Sequence, residues 1–581
     1  MPPLARPTDH GSLGIAGTAS SGSDDWQLAV HLAQKAQRSG NEKAFRKAIV
    51  ACGTARQWQA ALQILSNIFT SSKAPSVYSF NAAITACGRG LMWQQSLALL
   101  LRMETVQSQP DVVSYSAGIS ACEKGGEWQM ALYLLSQMPA AGVVPNPISF
   151  NAGISACEKG GEWQMALFLL SQMPAAQVVP DQISFSAGIS ACQKDGEWQM
   201  ALYLLSQMPA AQVVPDQISF NAGISACEKG GAWQMALSLL SQMPAAGVVP
   251  NPISFNAGIS ACEKGGKWQM ALFLLWQMPL ASVVPNEISF SAGISACEKG
   301  GEWQTALYLL SQIPAAQVVP DQISFSASIS ACEKGGEWQT ALYLLSQMPA
   351  AGVVPNAISF NAGISACEKG GAWQMALYLL SQMAAAGVGP NEISFSACIK
   401  SCGTARIWEL ALCLFASLRG NQLQPDAASY GQAIDAAWPE AVVFELFDQA
   451  MQDQTWPDML QRGGAGLDLH YHSCGSAILA VSWWLAEVVP KQLTRTLRHE
   501  SMSLEVITGW GKSRMPWRPA GSDLQVSVRR LLDERAIPCK IHPQNRGLLQ
   551  LDLRGAGTRW SHVHRTKEAK SNPQDPVRQH A

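Results

Sequence analysis

Several features that would place a chain quickly are missing from this one. No uninterrupted apolar run approaches the roughly 18–20 residues of a membrane-spanning helix, so no membrane partner is expected. No pair among the 15 cysteines has the CxxC spacing of a zinc or redox site. Residues 1–24 hold a single basic residue, Arg6, and no apolar core of signal-peptide length. They read as a disordered leader or a weak transit peptide. Charged residues are few, 14% of the chain, while 48% of it is hydrophobic, which excludes a disordered protein.

What fills the 581 residues instead is a repeat. The string from Pro147 to Asp181, PISFNAGISACEKGGEWQMALFLLSQMPAAQVVPD, returns with small changes every 35 residues. Phe150, Ile154 and Cys157 fall at i, i+4 and i+7, and Trp163, Ala166, Leu167 and Leu170 make a second stripe. Two short helices are expected, parted by Gly160-Gly161 and closed by Pro174 and then Pro180. Proline at the place of Pro139, Pro174 and Pro209 is expected to shorten the second helix by about a turn. One such pair leaves its apolar face exposed, and stacking copies buries it. The eleven cysteines spaced 35 apart, from Cys52 to Cys402, then read as small buried thiols, and the tryptophans from Trp58 to Trp408 as core. Ile148, Asn151 and Lys159, close to whole turns apart, define a different face that runs from apolar to amide to cation.

A 35-residue helix pair with I-S-F-N/S near its start, Ala166-Leu167 in its second helix and Pro-Asp or Pro-Asn at its end resembles the pentatricopeptide repeat (PPR) family. The tetratricopeptide opening W-x2-L-G-x2-Y is absent. The resemblance implies a mostly α fold, a right-handed α-solenoid of helix-turn-helix repeats, that binds single-stranded RNA at one base per repeat. It assigns base reading to the fifth and last residues of each repeat, with the second residue sandwiching the base. From Val77 to Asp426 these pairs run Asn81/Asp111, Ser116/Asn146, Asn151/Asp181, Ser186/Asp216, Asn221/Asn251, Asn256/Asn286, Ser291/Asp321, Ser326/Asn356, Asn361/Asn391 and Ser396/Asp426. The family's code turns them into 5′-U-A-U-G-Y-Y-G-A-Y-G-3′, with Y a pyrimidine. The resemblance also sets a lysine row against phosphate: Lys124, Lys159, Lys194, Lys229, Lys264, Lys299, Lys334 and Lys369. Copying of whole blocks is the other source of the variation, since Gln177, Gln212 and Gln317 accompany Asp, whereas Gly142, Gly247, Gly352 and Gly387 accompany Asn.

Charge is unevenly spread. From Gly464 onward there are 17 Lys and Arg against 10 Asp and Glu, leaving 23 against 32 before it. An acidic array works against RNA, because phosphate neutralisation supplies much of nucleic-acid affinity, so modest affinity and a shallow salt dependence are expected. An interaction scaffold for proteins is the alternative that the acidity favours.

The ends depart from the pattern. Residues 25–76 read as an N-terminal cap with a helix at Asp25–Ser39 and a degenerate repeat, Glu42–Ser76, carrying Arg46 at the reading place. Residues 77–426 are the ten repeats, and 427–463 a degenerate C-terminal cap and linker, the linker being Gln452–Gly466. From 464 to 552 the pattern turns α/β, with strands expected at Leu467–His470, Leu504–Thr508, Cys539–His542 and Leu548–Leu551 and helices at Ser476–Glu487 and Leu524–Arg535. LDLH followed by a strand ending TGWGK, a helix and I-P-C-K resembles the small MutS-related (Smr) domain. Thr508, Gly509, Gly511 and Lys512 would meet a phosphate there. Asp468 and His470, two apart on a strand, share a side, and the carboxylate would orient the imidazole as general acid or base. Ser513 stands where the family often has histidine, which leaves open whether the module cleaves RNA as an endoribonuclease or only binds it. The repeats call for no cofactor or small-molecule substrate, and a divalent metal at the module stays open. Residues 553–581 read as a disordered basic tail. A monomer is expected, its module tethered near the 3′ side of the bound RNA, in a mitochondrion or chloroplast by family resemblance.

Overall fold

The computed structural model describes residues 30–31, 42–70, 75–490, 504–508 and 523–551. The leader, nearly all of the helix expected at Asp25–Ser39, and the basic tail lie outside them. The chain forms two compact bodies, Met1–Ala296 and Cys297–Ala581.

The first body is a series of helix pairs, from Glu42–Thr54 with Trp58–Thr70 to Pro252–Lys264 with Trp268–Leu280. Each first helix starts at the last residue of the preceding repeat. The Asp181 carboxylate accepts the Ser184 amide at 2.9 Å, and the Asp181 amide donates to the Ser184 hydroxyl at 3.1 Å. This reciprocal cap satisfies two amides that would otherwise have no partner. At the other end of a first helix Gly161 adopts φ 79°, and the Glu162 amide reaches back to the Cys157 carbonyl at 3.0 Å. Only a left-handed residue allows that closure, and glycine adopts it without strain. Its neighbour Gly160 serves packing: a Cβ there would lie 2.5 Å from a ring carbon of Trp128.

Proline behaves differently from the sequence expectation. The helix Trp163–Ala175 runs through Pro174 and ends one residue later. In the last turn the lost amide removes a single bond, and the helix is closed instead by Gln177 at φ 59°, with the Val178 amide on the Met173 carbonyl at 2.9 Å. Val178 and Met173 are both buried, the apolar contact that accompanies such a closure.

Phe150, Ile154 and Cys157 are buried as their spacing predicts, and so are the eleven periodic cysteines. Burial, with Glu162 nearby, pushes the Cys157 thiol up to about 11, which keeps it protonated and inert. The tryptophans are not core. Trp128, Trp163 and Trp198 are half-buried, and Trp128 and Trp198 lie over Gly160 and Gly230 of the following repeat, where only a hydrogen leaves room for the indole.

The second body carries further pairs to Trp408–Gly420, then the cap helices Ala427–Ala437 and Val442–Gln452. A five-stranded sheet follows, built of β1 (Leu460–Gln461), β2 (Gly466–Asp468), β3 (Leu504–Ile507), β4 (Cys539–His542) and β5 (Asn545–Leu551), in the order β1-β2-β3-β5-β4. The pair β2–β3 is parallel and the others antiparallel. Helices Cys474–Trp483 and Asp523–Glu534 complete the expected α/β module.

The stretch expected to be a linker is packed. Trp456 and Met459 are buried in one hydrophobic cluster with Ile399 and Tyr430 of the repeats and cap and Leu467, Trp484 and Val506 of the module. The Asp435 carboxylate, on the cap helix, accepts the Gly475 amide at 2.7 Å and the Ser473 hydroxyl at 2.8 Å, holding the start of the module's first helix. The module is therefore docked on the end of the array, not loosely tethered. Pro457 and Gly463-Gly464 suggested a linker because turn residues join elements as well as free segments.

Gln177, Gln212 and Gln317 all hold φ near 59°, a conformation costing about 1–2 kcal/mol for a residue with a Cβ. Replacing each by Gly, as in the sister repeats, should raise stability by about 0.5–1 kcal/mol per site. Denaturant midpoints will show this, with Gly142→Gln and Gly247→Gln moving them the other way.

Candidate nucleic-acid interface

The fifth and last residues of a repeat are separated by 30 residues and meet through the next repeat's cap. The Asn81 amide donates to Asp111 Oδ1 at 3.0 Å, and its carbonyl oxygen accepts the Ser114 hydroxyl at 2.6 Å. Asn151, Asp181 and Ser184 repeat this at 3.1 and 2.6 Å. Where asparagine ends the repeat the geometry is kept: Asn256 reaches Asn286 at 3.1 Å and accepts from Ser289 at 2.6 Å. Asn221 with Asn251 and Ser254, and Asn361 with Asn391 and Ser394, do the same.

Serine at the fifth place gives three variants. Ser186 and Ser396 pair their hydroxyls with Ser219 and Ser429 at 3.0 and 2.8 Å, in repeats ending Asp216 and Asp426. Ser116 and Ser326, in repeats ending Asn146 and Asn356, keep buried hydroxyls with no partner among the described residues. There Ser149 and Ser359 turn instead to the Asn146 and Asn356 carbonyls, at 2.8 and 2.9 Å. An unsatisfied buried hydroxyl costs about 1–3 kcal/mol, and rotation about one χ1 brings it round.

The repeat Glu287–Asp321 is a third case. The Ser291 hydroxyl donates to the Glu287 carbonyl of its own helix at 2.8 Å. Asp321 serves as a helix cap: its Oδ1 accepts the Ser324 amide at 2.7 Å, its amide donates to the Ser324 hydroxyl at 3.0 Å, and that hydroxyl donates back to the Asp321 carbonyl at 2.9 Å. Oδ1 of Asp321 thus caps the next helix, as Oδ1 of Asp111 and of Asp181 does. The physical reason is the one that governs the other repeats, since the first amides of a helix need acceptors and the nearest carboxylate supplies one.

The reading tips are thus preorganised and mostly covered. Asn151 is 8% exposed and Ser396 7%, whereas the last residues are half-exposed, apart from exposed Asp426. Burial raises the carboxyls of Asp111 and Asp181, but the bonds from Ser114 and Ser184 and from Asn81 and Asn151 outweigh it and hold them below the usual carboxylate range. Sequence reasoning missed the third-place serine that ties each pair together. Asp or Asn followed three residues later by serine is a helix-start signature and would have located it.

Beside each pair stands the second residue, open to solvent. Tyr78, Val113 and an isoleucine in each of the next eight repeats, from Ile148 at 63% to Ile393 at 60%, form the row. Such side chains are usually buried, so one recurring in the open beside a polar pair marks a contact surface.

The lysines lie on exposed ground, and most of them are bonded. Lys159, Lys264, Lys334 and Lys369 pair with Glu123, Glu228, Glu298 and Glu333 of the preceding repeat at 2.7–2.9 Å. Lys194 and Lys229 donate to the Lys159 and Lys194 carbonyls. At the place 36 residues back Lys124 has Gly88 and Lys229 has Gln193, whereas the other six have a glutamate. The row is a ladder of opposite charges, not a strip of cations.

In the module, Asp468 Oδ1 takes both the His470 amide at 3.0 Å and its Nδ1 at 2.5 Å, and Gln461 donates to Oδ2 at 2.8 Å. The histidine is exposed. Thr508 is buried and its hydroxyl donates to the Gly547 carbonyl at 3.1 Å, which ties it to the strand end. Gly509, Gly511 and Lys512 lie outside the described residues. Among the described residues no three His, Cys, Asp or Glu side chains gather as metal ligands.

Tandem helix hairpins, each capped by its predecessor's last residue, define a helical-repeat protein. The repeats are pentatricopeptide repeats: a pentatricopeptide repeat domain model matches residues 98–159 and 308–370, and a PPR repeat model residues 218–248. No curated protein matches the chain. Among solved structures it is similar to maize PPR10 in complex with an 18-nt psaJ RNA element, 17% identical over 82% of this chain and 79% of that one, with a TM-score of 0.41. It is also similar to yeast Rmd9p in complex with a 16-nt target RNA (10%, 95% and 98%, TM-score 0.33). The PPR domain of Arabidopsis thaliana PRORP1 in complex with tRNA is a third (19%, 32% and 95%, TM-score 0.28).

The lowered carboxyls of Asp111, Asp181 and Asp216 make stability pH-dependent. A folded-state pKa below the unfolded value of about 3.9 contributes stability that is present above that pH and lost as pH falls through the lower value. Acid unfolding should therefore begin near pH 4, and Asp181→Asn, which keeps the cap, should make the transition shallower when followed by circular dichroism.

Proposed function

We propose that the array binds single-stranded RNA, one nucleotide per repeat, with each base lying against the exposed second residues and its edge meeting the fifth and last pair. The observation that carries this reading is the open apolar row set beside preformed polar pairs. Pentatricopeptide repeats read one base per repeat by two or three side chains.

The bonds already made leave a definite face to the base. In Asn81–Asp111 one amide hydrogen and the Asn carbonyl oxygen are used, so a donor remains on Asn81 and an acceptor on Asp111 Oδ2. Uracil, with an acceptor beside its N3–H donor, complements that pattern. In Asn256–Asn286 both remaining groups are donors, which suits the adjacent acceptors of cytosine. The Lys–Glu ladder supplies little phosphate attraction, so stacking and base edges carry the affinity.

For the module we propose RNA contact at the 3′ side of the bound segment through its Smr-like face. His470, oriented by Asp468, is the group for proton transfer if the strand is cut. His470→Ala should then abolish cleavage products on a gel while leaving RNA affinity unchanged, and loss of both would refute that role.

Fluorescence anisotropy with 5′-UAUGYYGAYG-3′ and its complement tests the base code, which equal affinities would refute. Asn151→Ser with Asn221→Ser should move preference from pyrimidine to purine at those two places by roughly 10-fold each. No change in any RNA contact would favour a protein scaffold. Glu123→Gln, Glu228→Gln and Glu298→Gln together free Lys159, Lys264 and Lys334, and should steepen the salt dependence of binding by about 2 in log–log slope.

A further inference from the structure

In an array of near-copies, the informative places are those where a single copy differs at a position that packing does not constrain. The ninth residue of the second helix is serine in seven of the ten repeats, Ser171 and Ser241 among them, and the thirteenth is alanine in seven, Ala175 and Ala245 among them. Where serine stands, its hydroxyl is satisfied within the helix, as Ser171 is on the Phe168 carbonyl at 2.7 Å. The first and last repeats have Leu101 with Thr105 and Ala416 with Gly420, and among the eight between them Pro252–Asn286 alone departs, with Trp276 and Leu280.

Both are exposed, Trp276 at 56% and Leu280 at 78%, and they continue a line with Phe273 at 50%. Residues 273, 276 and 280 are spaced i, i+3 and i+7, one stripe of a helix, and Val284, 72% exposed, follows just beyond its end. The core of the same helix is complete without them: Ala271, Leu274, Leu275 and Met278 are buried as in the sister repeats. The stripe thus stands outside the core of its own helix pair, and it lies on a helix that carries none of the reading pairs.

We propose that this outer face of the helix Trp268–Leu280 is a self-association surface, on which a second copy of the chain docks about a two-fold axis with Trp276 at its centre. At these exposures the four side chains present roughly 500 Å² per chain, within the range of the largest patch on an ordinary monomer. Two copies joined there bury roughly 1,000 Å², the threshold for a specific interface. The face occurs once per chain, and a self-complementary face that occurs once closes a pair and stops there. The helix has no charged side chain, so a second copy meets no like charge across the axis. Tryptophan in the middle of such a face is the commonest residue type to dominate an interface. The proposal is independent of RNA binding and replaces the monomer expected from the sequence.

Sedimentation velocity on the full chain without RNA should show a concentration-dependent dimer with a Kd of about 1–10 µM. Trp276→Ser with Leu280→Ala installs the residues of the sister repeats, so the fold is retained, and circular dichroism will confirm it. This variant should weaken dimerisation by about 30-fold or more, whereas Phe168→Ser, which removes an exposed aromatic from another repeat, should leave it unchanged. A chain that stays monomeric up to about 100 µM overturns the proposal. So does a dimer that the double variant leaves intact, and so does one that Phe168→Ser weakens equally.

Discussion

The third-place serine hydroxyl is the interaction on which the repeat depends. In Ser184 it accepts the Asp181 amide and donates to Asn151, so one atom group joins the end of one repeat, the start of the next helix and the fifth residue behind it. Neighbouring first helices are thereby registered by polar bonds, while small apolar residues such as Ala156 and Cys157 bury their shared face. A hydrophobic seam of alanine, cysteine and isoleucine tolerates sliding better than a bidentate cap does. The polar joint supplies the register that such a seam lacks.

The same joint ties recognition to stability. The carboxylate or amide at the end of a repeat caps a helix whether or not RNA is present, so its orientation is set before a base arrives, and little side-chain entropy is lost on contact. Aspartate and asparagine are both good caps, which lets the chain alternate between them without breaking the array. At the fifth place asparagine completes the network, whereas serine gives a hydroxyl pair, the orphaned hydroxyls of Ser116 and Ser326, or the turn of Ser291 into its own helix. The chemistry facing a base therefore varies within a scaffold that hardly changes.

Much of this was legible in the sequence because the repeat is close to exact. A 35-residue period, apolar stripes and the Gly160-Gly161 break place both helices, and alternation in the C-terminal module places its strands within a few residues. The failures share a cause: they concern relations between elements, which periodicity does not encode. Pro174 lies within the last helical turn, where it breaks little. Trp128 packs across a repeat boundary onto Gly160, so it is half-buried and not core. Trp456 and Met459 join the array to the module through contacts with distant residues. The lysine row was visible, but its partners were not, since Lys159 and Glu123 are 36 residues apart.

That ladder settles an apparent conflict between an acidic array and a polyanionic ligand. Lys159, Lys264, Lys334 and Lys369 are each shared with a carboxylate one repeat below, and an exposed pair of this kind is worth only about 0.2–1 kcal/mol. In the proposed reading the array avoids strong nonspecific attraction, which is indifferent to base identity, and leaves discrimination to the pairs above it. Copying the repeat then copies the neutrality with it, so length adds bases read without adding net cationic charge. Two steps depart from it: Gly88 and Gln193 stand below Lys124 and Lys229 where a glutamate would. On the proposed RNA path those two lysines keep their charge toward phosphate, so electrostatic attraction is confined to a few steps and does not grow with each copy.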